Sequence, residues 1–307
     1  MLFRSLVAAL RAERVACSFG SPAIWGKVAD HCAAHGLTLP DLRRLLLAGA
    51  PVSGELLAKL RTVAPHCMTH TPYGATECLP VTTIAAEELL GEAREAAFRG
   101  RGTCVGRPVS GVEVRVIRES DGPLATIAEA DVCAPGEVGE IVATGPSVTR
   151  EYDGLPEATR LAKIADGDRV WHRMGDLGSF DADGRLFFLG RRAEKVRTLE
   201  GDIPTEAVEP AFRRHPDVLR CALIGLGEAP RQTPALVVEP RPGRFPADEA
   251  ARARFDQELR EVAAVNPLAG RVGRIVFQHD LPVDVRHNAK IDRKSTRLNS
   301  SHSSVSR

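Results

Sequence analysis

The sequence has few aromatic residues and almost no excess charge. Phe, Trp and Tyr make up 5% of its 307 positions, and the formal net charge is +1. Basic residues are not clustered among aromatic ones, as they are in many nucleic-acid-binding proteins. A near-neutral chain also has no long-range field that would attract an anionic membrane. We therefore expect no nucleic-acid partner, and other partners have to be inferred from individual sites.

Long apolar runs are also missing from the sequence. No stretch approaches the roughly 20 apolar residues that a membrane-spanning helix needs. Charged residues interrupt the opening stretch MLFRSLVAALRAERVACSFG, where a signal peptide would carry its apolar core. These absences predict a cytoplasmic protein without a transmembrane segment.

The seven cysteines are odd in number and scattered singly, which favours reduced thiols over a disulfide framework. Four potential zinc ligands do crowd together, namely His66, Cys67, His70 and Cys78. Zinc is one interpretation of such a cluster. We favour another interpretation of this segment, which rests on the residues that follow it.

The apolar pattern predicts an α/β fold. With 43% hydrophobic residues, the chain can bury one large core or about two smaller ones. The stretch DLRRLLLAGAPVSGELLAKLRTVAP predicts a helical segment, a strand over residues 45–48, a Gly-Ala-Pro turn and a helix starting at Ser53. This alternation indicates a parallel α/β layer with functional loops at the strand ends. From Gly102 to about Phe188, short β-rich runs between Gly, Pro and Asp-Gly turns predict a β subdomain.

After the segment FFLGRRAEK the pattern becomes that of a small α+β unit. It predicts helices near residues 205–214 and 247–265, and strands in VLRCALIGL, TPALVVEP and RIVFQHDLPVD. We therefore expect a large domain over residues 1–189 and a small carboxyl-terminal domain over 190–293. The Ser-rich residues 294–307 bury too little apolar surface to fold, and we expect a disordered, non-native tail there.

The segment HTPYGATECLPV contains parts suited to a nucleotide. A Tyr ring such as that of Tyr73 can stack on a planar base, and the Thr76 hydroxyl can bond a phosphate oxygen. The carboxylate of Glu77 can hold Mg²⁺. The same residues also fit a plain turn with a buried Tyr and a capping Thr. Their order relative to other motifs distinguishes the two interpretations.

Several further motifs accompany this segment in a fixed order: LLLAGAPVSGEL before it, then GTCVGRPVSGVEV, GEVGEIVATGPSVTREY, VWHRMGDLGSFDADGRLFFLGRR and RHNAKIDR. In this order the sequence resembles the adenylate-forming enzymes, which include acyl-CoA synthetases, peptide-synthetase adenylation domains and luciferases. The resemblance extends to about Arg293. It implies the carboxyl-terminal part of such an enzyme, with ATP and Mg²⁺ as its cosubstrate and cofactor.

The resemblance also implies roles for individual residues. Thr76 would bind the α-phosphate, Glu77 would hold Mg²⁺, and Lys290 in the NAKI motif would be the lysine that acts during adenylation. Other residues would surround the adenine or hold the ribose hydroxyls. They are Gly49, Ala50, Pro51 and Tyr73 around the adenine, and Asp176 and Arg191 at the ribose. Gly74 and Ala75 would also belong to the nucleotide-binding site.

Several motifs, among them FGSPAIW, WHRMGDLG and VRHNAKI, look most similar to those of the olefin β-lactone synthetases of long-chain hydrocarbon biosynthesis. That resemblance implies a 2-alkyl-3-hydroxy fatty acid substrate whose own hydroxyl displaces AMP, and other enzymes of the pathway as partners. A fatty acyl-CoA ligase, which would need CoA, is the alternative. A non-catalytic nucleotide-binding remnant is the second alternative.

The sequence departs from the family pattern in several places. Ala193 stands where many members carry Asp or Lys at the hinge between domains, Met174 replaces a small polar residue, and Ala289 replaces the usual Gly before Lys290. The Ser/Thr/Gly-rich phosphate loop that the family carries upstream of the YGATE-like motif does not occur before Tyr73. We therefore expect this chain to bind ATP weakly and to turn over poorly by itself.

Overall fold

The computed structural model describes residues 2–49, 52–283, 291–293 and 295–296. The α-helices are α1 (Leu2–Ala12), α2 (Pro22–Ala34), α3 (Gly54–Val63), α4 (Ala86–Leu90), α5 (Glu92–Ala96), α6 (Pro156–Ala162), α7 (Glu209–Phe212) and α8 (Glu249–Ala263). A single π-helical turn covers Ala97–Arg101. Within these described ranges, no helix is both long and apolar enough to cross a bilayer.

Thirteen strands are described, and they form two sheets. The strands are β1 (Cys17–Gly20), β2 (Arg44–Leu47), β3 (Met68–Ala75), β4 (Cys78–Ala85), β5 (Thr103–Pro108), β6 (Glu113–Ile117), β7 (Gly139–Thr144), β8 (Lys163–Asp166), β9 (Arg169–Phe180), β10 (Leu186–Arg191), β11 (Val218–Leu226), β12 (Thr233–Pro240) and β13 (Arg274–Phe277). The larger sheet has ten strands in the order β1-β2-β3-β4-β5-β10-β9-β7-β6, with β8 paired to β9.

The larger sheet changes character along its length. Strands β1, β2 and β3 are parallel, whereas β4 runs antiparallel to β3 and the pairings from β4 to β6 are antiparallel. The predicted parallel layer and the predicted β subdomain are thus joined in one sheet through the β4–β5 pairing. The predicted α/β fold class is confirmed.

The parallel layer is covered by helices on one face. Leu45 and Leu47 of β2 are fully buried in a cluster with apolar residues of α1, α2 and α3. The predicted helix start at Ser53 is confirmed for α3, because the Ser53 hydroxyl accepts a hydrogen bond from the Leu56 N–H at 3.2 Å and so caps the helix. The strand lies over Arg44–Leu47, one residue before its predicted position.

The small sheet has the order β11-β12-β13, and α8 packs against it. The sequence pattern was wrong in predicting one helix near 205–214, because the structure has a 3₁₀ turn at Thr205–Ala207 and then the short α7. Pro210 explains the interruption. It has no N–H to bond the carbonyl of Glu206 four residues earlier, so a continuous helix cannot pass through it.

The large sheet meets the small unit at a close-packed junction. Gly190 has φ of +112°, and a Cβ there would collide with the Thr205 hydroxyl oxygen, so only glycine fits. Next to it, the Thr103 hydroxyl donates a hydrogen bond to Glu206 Oε2 at 2.8 Å. The expected boundary near Gly190 therefore falls inside β10, at a position where the backbone is tightly constrained.

The end of the described chain is attached to the small unit. Arg293 donates to both Glu209 oxygens, at 2.6 and 3.2 Å. Two residues of the expected tail are described: Ser295 Oγ donates to Asp292 Oδ2 at 2.6 Å, and Thr296 Oγ1 donates to the Asp292 carbonyl oxygen at 2.8 Å. The disordered, non-native tail stays a prediction. The other tail residues lie outside the described residues.

A buried ion pair connects β9 with β7. Arg173 Nη2 lies 2.6 Å from Glu140 Oε2, and both side chains are at most 5% exposed. The guanidinium also donates to the backbone carbonyls of Ser120 and Gly122. The Glu140 carboxylate is the counter-charge of Arg173. If that negative charge is removed, the buried guanidinium lacks a compensating charge, which destabilises the folded state.

We predict that Glu140→Gln lowers the free energy of unfolding by about 3 kcal/mol, because it leaves Arg173 charged and unpaired inside the protein. Urea unfolding followed by circular dichroism measures the change. Glu157→Gln is the matched control, since Glu157 pairs with Arg160 at the exposed surface, and it should change stability by less than about 0.5 kcal/mol. Equal effects of the two variants would contradict the assignment.

Candidate active site

A two-residue turn between β3 and β4 presents the side chains of Thr76 and Glu77. Ala75 pairs with Cys78 on either side of the turn, and the strand register shifts between Tyr73 and Ala75. Gly74 makes this irregularity possible, because a Cβ there would lie 2.5 Å from the Cys78 carbonyl oxygen. Thr76 is exposed and Glu77 is half-buried. The turn thus places a hydroxyl and a carboxylate side by side where β3 ends and β4 begins.

Asp176 joins two distant parts of the sheet through its carboxylate. The Tyr73 hydroxyl donates to Asp176 Oδ2 at 2.6 Å, across 103 residues of sequence. Arg191 Nη1 lies 3.0 Å from Asp176 Oδ1, and the Arg191 side chain is 44% exposed while that of Asp176 is 7% exposed. A buried carboxylate therefore lies between a phenol of β3 and an arginine at the domain junction.

The backbone explains this grouping. Asp176 in β9 and Arg191 in β10 are directly paired across the two antiparallel strands. The register shifts between Phe188 and Gly190, and Arg191 Nη1 also donates to the Met174 carbonyl oxygen at 3.1 Å. A carboxylate offers about four acceptor positions and a guanidinium five N–H groups. The carboxylate can accept hydrogen bonds from vicinal hydroxyl groups, and the guanidinium can donate hydrogen bonds to the same hydroxyl oxygens.

Glu77 is oriented by a tyrosine from a different segment. The Tyr152 hydroxyl donates to Glu77 Oε1 at 2.9 Å, and burial together with this bond raises the pKa of Tyr152 to about 12. Burial alone would raise the pKa of Glu77, but backbone and Tyr152 hydrogen bonds outweigh it and lower that pKa. Glu77 therefore carries a carboxylate held through one oxygen.

Behind this carboxylate lie a buried lysine and a buried histidine. Lys163 Nζ donates to the Thr149 hydroxyl at 3.0 Å and lies 5.6 Å from the centre of the Tyr152 ring. Its register partner in β9 is His172, which is 3% exposed. Burial lowers the pKa of Lys163, and burial followed by the Lys163 charge lowers the pKa of His172 to about 4. The imidazole is neutral at pH 7.

The structure brings together most of the residues expected at a nucleotide site. The segment from Tyr73 to Glu77 forms the end of β3 and its turn. Asp176 contacts Tyr73 directly, and Arg191 contacts Asp176. Gly49 lies two residues after the end of the neighbouring strand β2, with φ of +90°. Ala50, Pro51 and Lys290 lie outside the described residues.

Val283 and Ile291, on either side of the segment 284–290 that contains Lys290, are described. Val283 and Ile291 form an antiparallel bridge, and the Asp292 N–H donates to the Pro282 carbonyl oxygen at 2.8 Å. The two ends of the segment that contains Lys290 are therefore fixed to each other.

Sequence inspection missed the group formed by Tyr152, Lys163 and His172. Two of them occur in motifs that carry the family resemblance, REY and VWHRMGD, but neither motif by itself indicates a contact with Glu77. The useful signal was the position of His172 in β9, two residues after Val170 and two before Met174, where strand alternation puts all three side chains on the same side. A polar side chain on the buried face of a strand usually serves a site or a network.

The donor chemistry around Glu77 suits a hard cation that also binds phosphate oxygens. Mg²⁺ is usually held by one or two carboxylates together with the substrate phosphates rather than by a cage of side chains. Glu77 with one oxygen bonded to Tyr152 fits this pattern. Over the described residues, no group of three or more His, Cys, Asp or Glu side chains could hold a metal, and these residues include His66, Cys67, His70 and Cys78.

Comparison with known proteins identifies the family. Residues 2–153 match the family model described as AMP-binding enzyme. The chain is 45% identical to an olefin beta-lactone synthetase of Xanthomonas campestris over 282 residues, which is 90% of this chain. The chain belongs to the AMP-binding, adenylate-forming enzyme family.

Solved structures of AMP-binding enzymes share the fold. An amide bond synthetase from Marinactinospora thermotolerans matches with a TM-score of 0.73 and 25% identity, over 97% of this chain and 55% of that one. An O-succinylbenzoate coenzyme A synthetase from Bacillus subtilis, solved with ATP and a magnesium ion, matches with a TM-score of 0.69 and 20% identity, over 95% of this chain and 53% of that one. This chain also spans 49% of the Xanthomonas relative.

We predict that His172 makes the folded protein less stable in acid. The unfolded chain binds a proton at the ordinary pKa of 6.5, whereas the folded site does so only near 4. The free energy of unfolding should therefore fall as the pH is lowered through this window, by on the order of 3 kcal/mol. Urea unfolding at pH 7, 5.5 and 4.5 measures it.

His172→Gln should lose this part of the pH dependence, whereas His66→Gln, at an exposed position, should keep it. The two variants having parallel pH profiles would show that His172 is not the responsible group.

Proposed function

We propose that this chain is the carboxyl-terminal part of a cytoplasmic enzyme that activates a 2-alkyl-3-hydroxy fatty acid as its acyl adenylate and closes it to a β-lactone. The observation that carries the proposal is the meeting of Tyr73, Asp176 and Arg191 beside the Thr76–Glu77 turn. The likeness to olefin beta-lactone synthetases supports the choice of product.

In this proposal, the residues around Asp176 bind the nucleoside. Asp176 accepts hydrogen bonds from the ribose hydroxyls, as one carboxylate can from two vicinal groups, and Arg191 donates to the same sugar. The Tyr73 ring packs on the adenine while its hydroxyl keeps the carboxylate in place. The backbone of Gly49, Ala50 and Pro51 lines the base, along with Gly74 and Ala75.

The turn residues serve the phosphates. Thr76 donates its hydroxyl to the α-phosphate, and Glu77 would hold Mg²⁺, with Tyr152 orienting its carboxylate. The bound Mg²⁺ would neutralise charge on the phosphate oxygens. Lys163 adds positive charge behind Glu77. Tyr152 is a positioning residue here, since it acts on the phosphates only through Glu77.

The chemistry then has two steps. In the first, a carboxylate oxygen of the acid attacks the α-phosphorus of ATP, and the bond to pyrophosphate breaks. Lys290 stabilises the charge that develops, which suits a flexible ammonium group. In the second, the 3-hydroxyl oxygen attacks the acyl carbon, and AMP and a proton leave. Because the hydroxyl is part of the substrate, its effective concentration at the acyl carbon is high, and no second substrate has to bind.

Ala193 favours the lactone over a thioester. The position follows the junction at Gly190 and Arg191, where many family members carry the charged hinge residue for a large rotation of the small domain. A one-site ring closure does not need that rotation. The fatty acyl-CoA ligase alternative differs in this second step, where the thiol of CoA would attack the acyl carbon. Other enzymes of hydrocarbon synthesis would supply the hydroxy acid and consume the lactone.

The test uses a full-length chimera, in which the amino-terminal half of the Xanthomonas campestris synthetase precedes residue 2 of this chain. With ATP, Mg²⁺ and a 2-alkyl-3-hydroxy fatty acid, we predict pyrophosphate release and a β-lactone detected by mass spectrometry, both independent of CoA. A product that forms only with CoA, as a thioester, would contradict the lactone proposal.

Two controls accompany this measurement. Lys290→Ala in the chimera should abolish pyrophosphate release and leave ATP binding largely intact. The chain alone should release pyrophosphate far more slowly than the chimera. A rate equal to that of the chimera would show that the missing phosphate loop is not needed.

A further inference from the structure

Arg293, the last residue of the stretch 291–293, contacts two separate segments of the small unit. Its Nε donates to Glu194 Oε2 at 2.8 Å, and its two Nη atoms donate to the two oxygens of Glu209. The Arg293 side chain is 15% exposed. One guanidinium therefore bonds three carboxylate oxygens, and it lies three residues after Lys290 in the sequence.

Glu209 is a fixed partner for this guanidinium. Its side chain is 2% exposed and lies at the start of α7. Glu209 Oε1 also accepts a hydrogen bond from the Leu223 N–H of β11 at 2.8 Å, so the carboxylate is bonded to the sheet backbone as well as to Arg293. A buried polar network with satisfied members is rigid. Arg293 is thus attached to the core of the small unit.

Glu194 extends the contacts of Arg293 to the domain junction. It ends the 3₁₀ turn Arg192–Glu194, which directly follows Arg191. Arg191 faces Asp176, the carboxylate that we propose holds the ribose. Arg293 therefore connects the chain that follows Lys290 to the turn that follows Arg191. Two segments that carry proposed nucleotide contacts are joined through one side chain.

The geometry of this group favours an orienting role over a stabilising one. Burying an ion pair contributes little net stability, because the loss of hydration offsets the attraction between the charges. A planar guanidinium with several fixed donors does set the relative positions of the carboxylates that it joins. A lysine in the same place would keep the charge but would not reproduce this arrangement of donors.

We propose that Arg293 is a positioning residue for Lys290 in the adenylation step. By attaching residues 291–293 to the junction turn and to α7, it fixes the point from which Lys290 reaches the phosphates. Three residues of extended chain span only about 10 Å, so this attachment controls where the ammonium group lies. The inference rests on the proposed function, because it takes Lys290 to be the adenylation lysine. Arg293 acts only through Lys290.

Separate measurement of the two chemical steps tests the proposal. In the full-length chimera defined above, Arg293→Lys keeps a positive charge beside Glu209 but loses the planar set of donors. We expect kcat for pyrophosphate release to fall about tenfold, because misplacing a catalytic group by about 1 Å is costly in rate. The KM for ATP should be unchanged, as for an interaction made in the transition state. Lactone formation from supplied acyl adenylate does not use Lys290 and should also be unchanged.

Two results would overturn the proposal. Equal slowing of both steps in Arg293→Lys would show that Arg293 supports the site in general and not Lys290 in particular. An unchanged rate of pyrophosphate release would show that Lys290 needs no such attachment.

Two further variants sharpen this comparison. Arg260→Lys is the matched control, since Arg260 of α8 also pairs with a carboxylate, that of Asp256, and donates to a backbone carbonyl. It should change neither step. Glu194→Gln, at a side chain that is 36% exposed, removes only the charged contact at the junction turn. It should slow pyrophosphate release, by less than Arg293→Lys does, and leave lactone formation from acyl adenylate unchanged. Slowing of that second step would contradict the proposal.

Hydrogen exchange in the chain alone distinguishes this inference from the proposed function. The Asp292 N–H donates to the Pro282 carbonyl oxygen, so its exchange requires the chain end to open. Arg293→Lys should speed exchange of this amide about tenfold and leave the amides of β12 unchanged, as followed by NMR. Unchanged exchange at Asp292 would overturn the inference. Faster exchange, with no pyrophosphate release from the unaltered chimera, would contradict the proposed function alone.

Discussion

The arrangement of the site depends on one shared carboxylate. Asp176 lies in β9 of the large sheet. One of its oxygens accepts a hydrogen bond from the Tyr73 hydroxyl, and the other faces the Arg191 guanidinium. These contacts tie β3, β9 and the domain junction to a single point. A nearly buried carboxylate is tolerated only with such partners, because its charge would otherwise be costly to bury. The proposed nucleoside site is thus also a structural connection.

The second group of polar residues serves a different purpose. Around Glu77, the protein assembles a phenol, an ammonium and an imidazole. They come from Tyr152 in the segment before α6, Lys163 in β8 and His172 in β9. Burial keeps the imidazole neutral and lowers the pKa of the lysine. The turn that carries Glu77 is therefore supported from behind, by residues far from it in sequence. Its open side faces the place where phosphates would lie.

The sequence allowed the local elements and the motif residues to be predicted. The capped start of α3 and the strands of the small sheet follow from periodicity, and the grouping of Tyr73, Asp176 and Arg191 agrees with the family resemblance. The break before Pro210 was also readable in principle, because proline cannot continue a helix. Apolar alternation, by contrast, does not indicate which strands pair, and so the joining of the parallel layer to the β subdomain was not predicted.

Long-range side-chain contacts could not be predicted from the sequence either. Nothing local in REY indicates that Tyr152 meets Glu77, 75 residues earlier.

The central claim is that Asp176 binds the nucleoside, and calorimetric titration of AMP into the full-length chimera tests it most directly. Asp176→Asn removes the charge with almost no change in shape and should weaken AMP binding by about 10-fold or more, as expected for loss of a hydrogen-bonded charged partner. Asp183→Asn, at an exposed turn on the same sheet, should bind as the unaltered chimera does. Equal AMP affinity of the Asp176→Asn and unaltered chimeras would contradict the account.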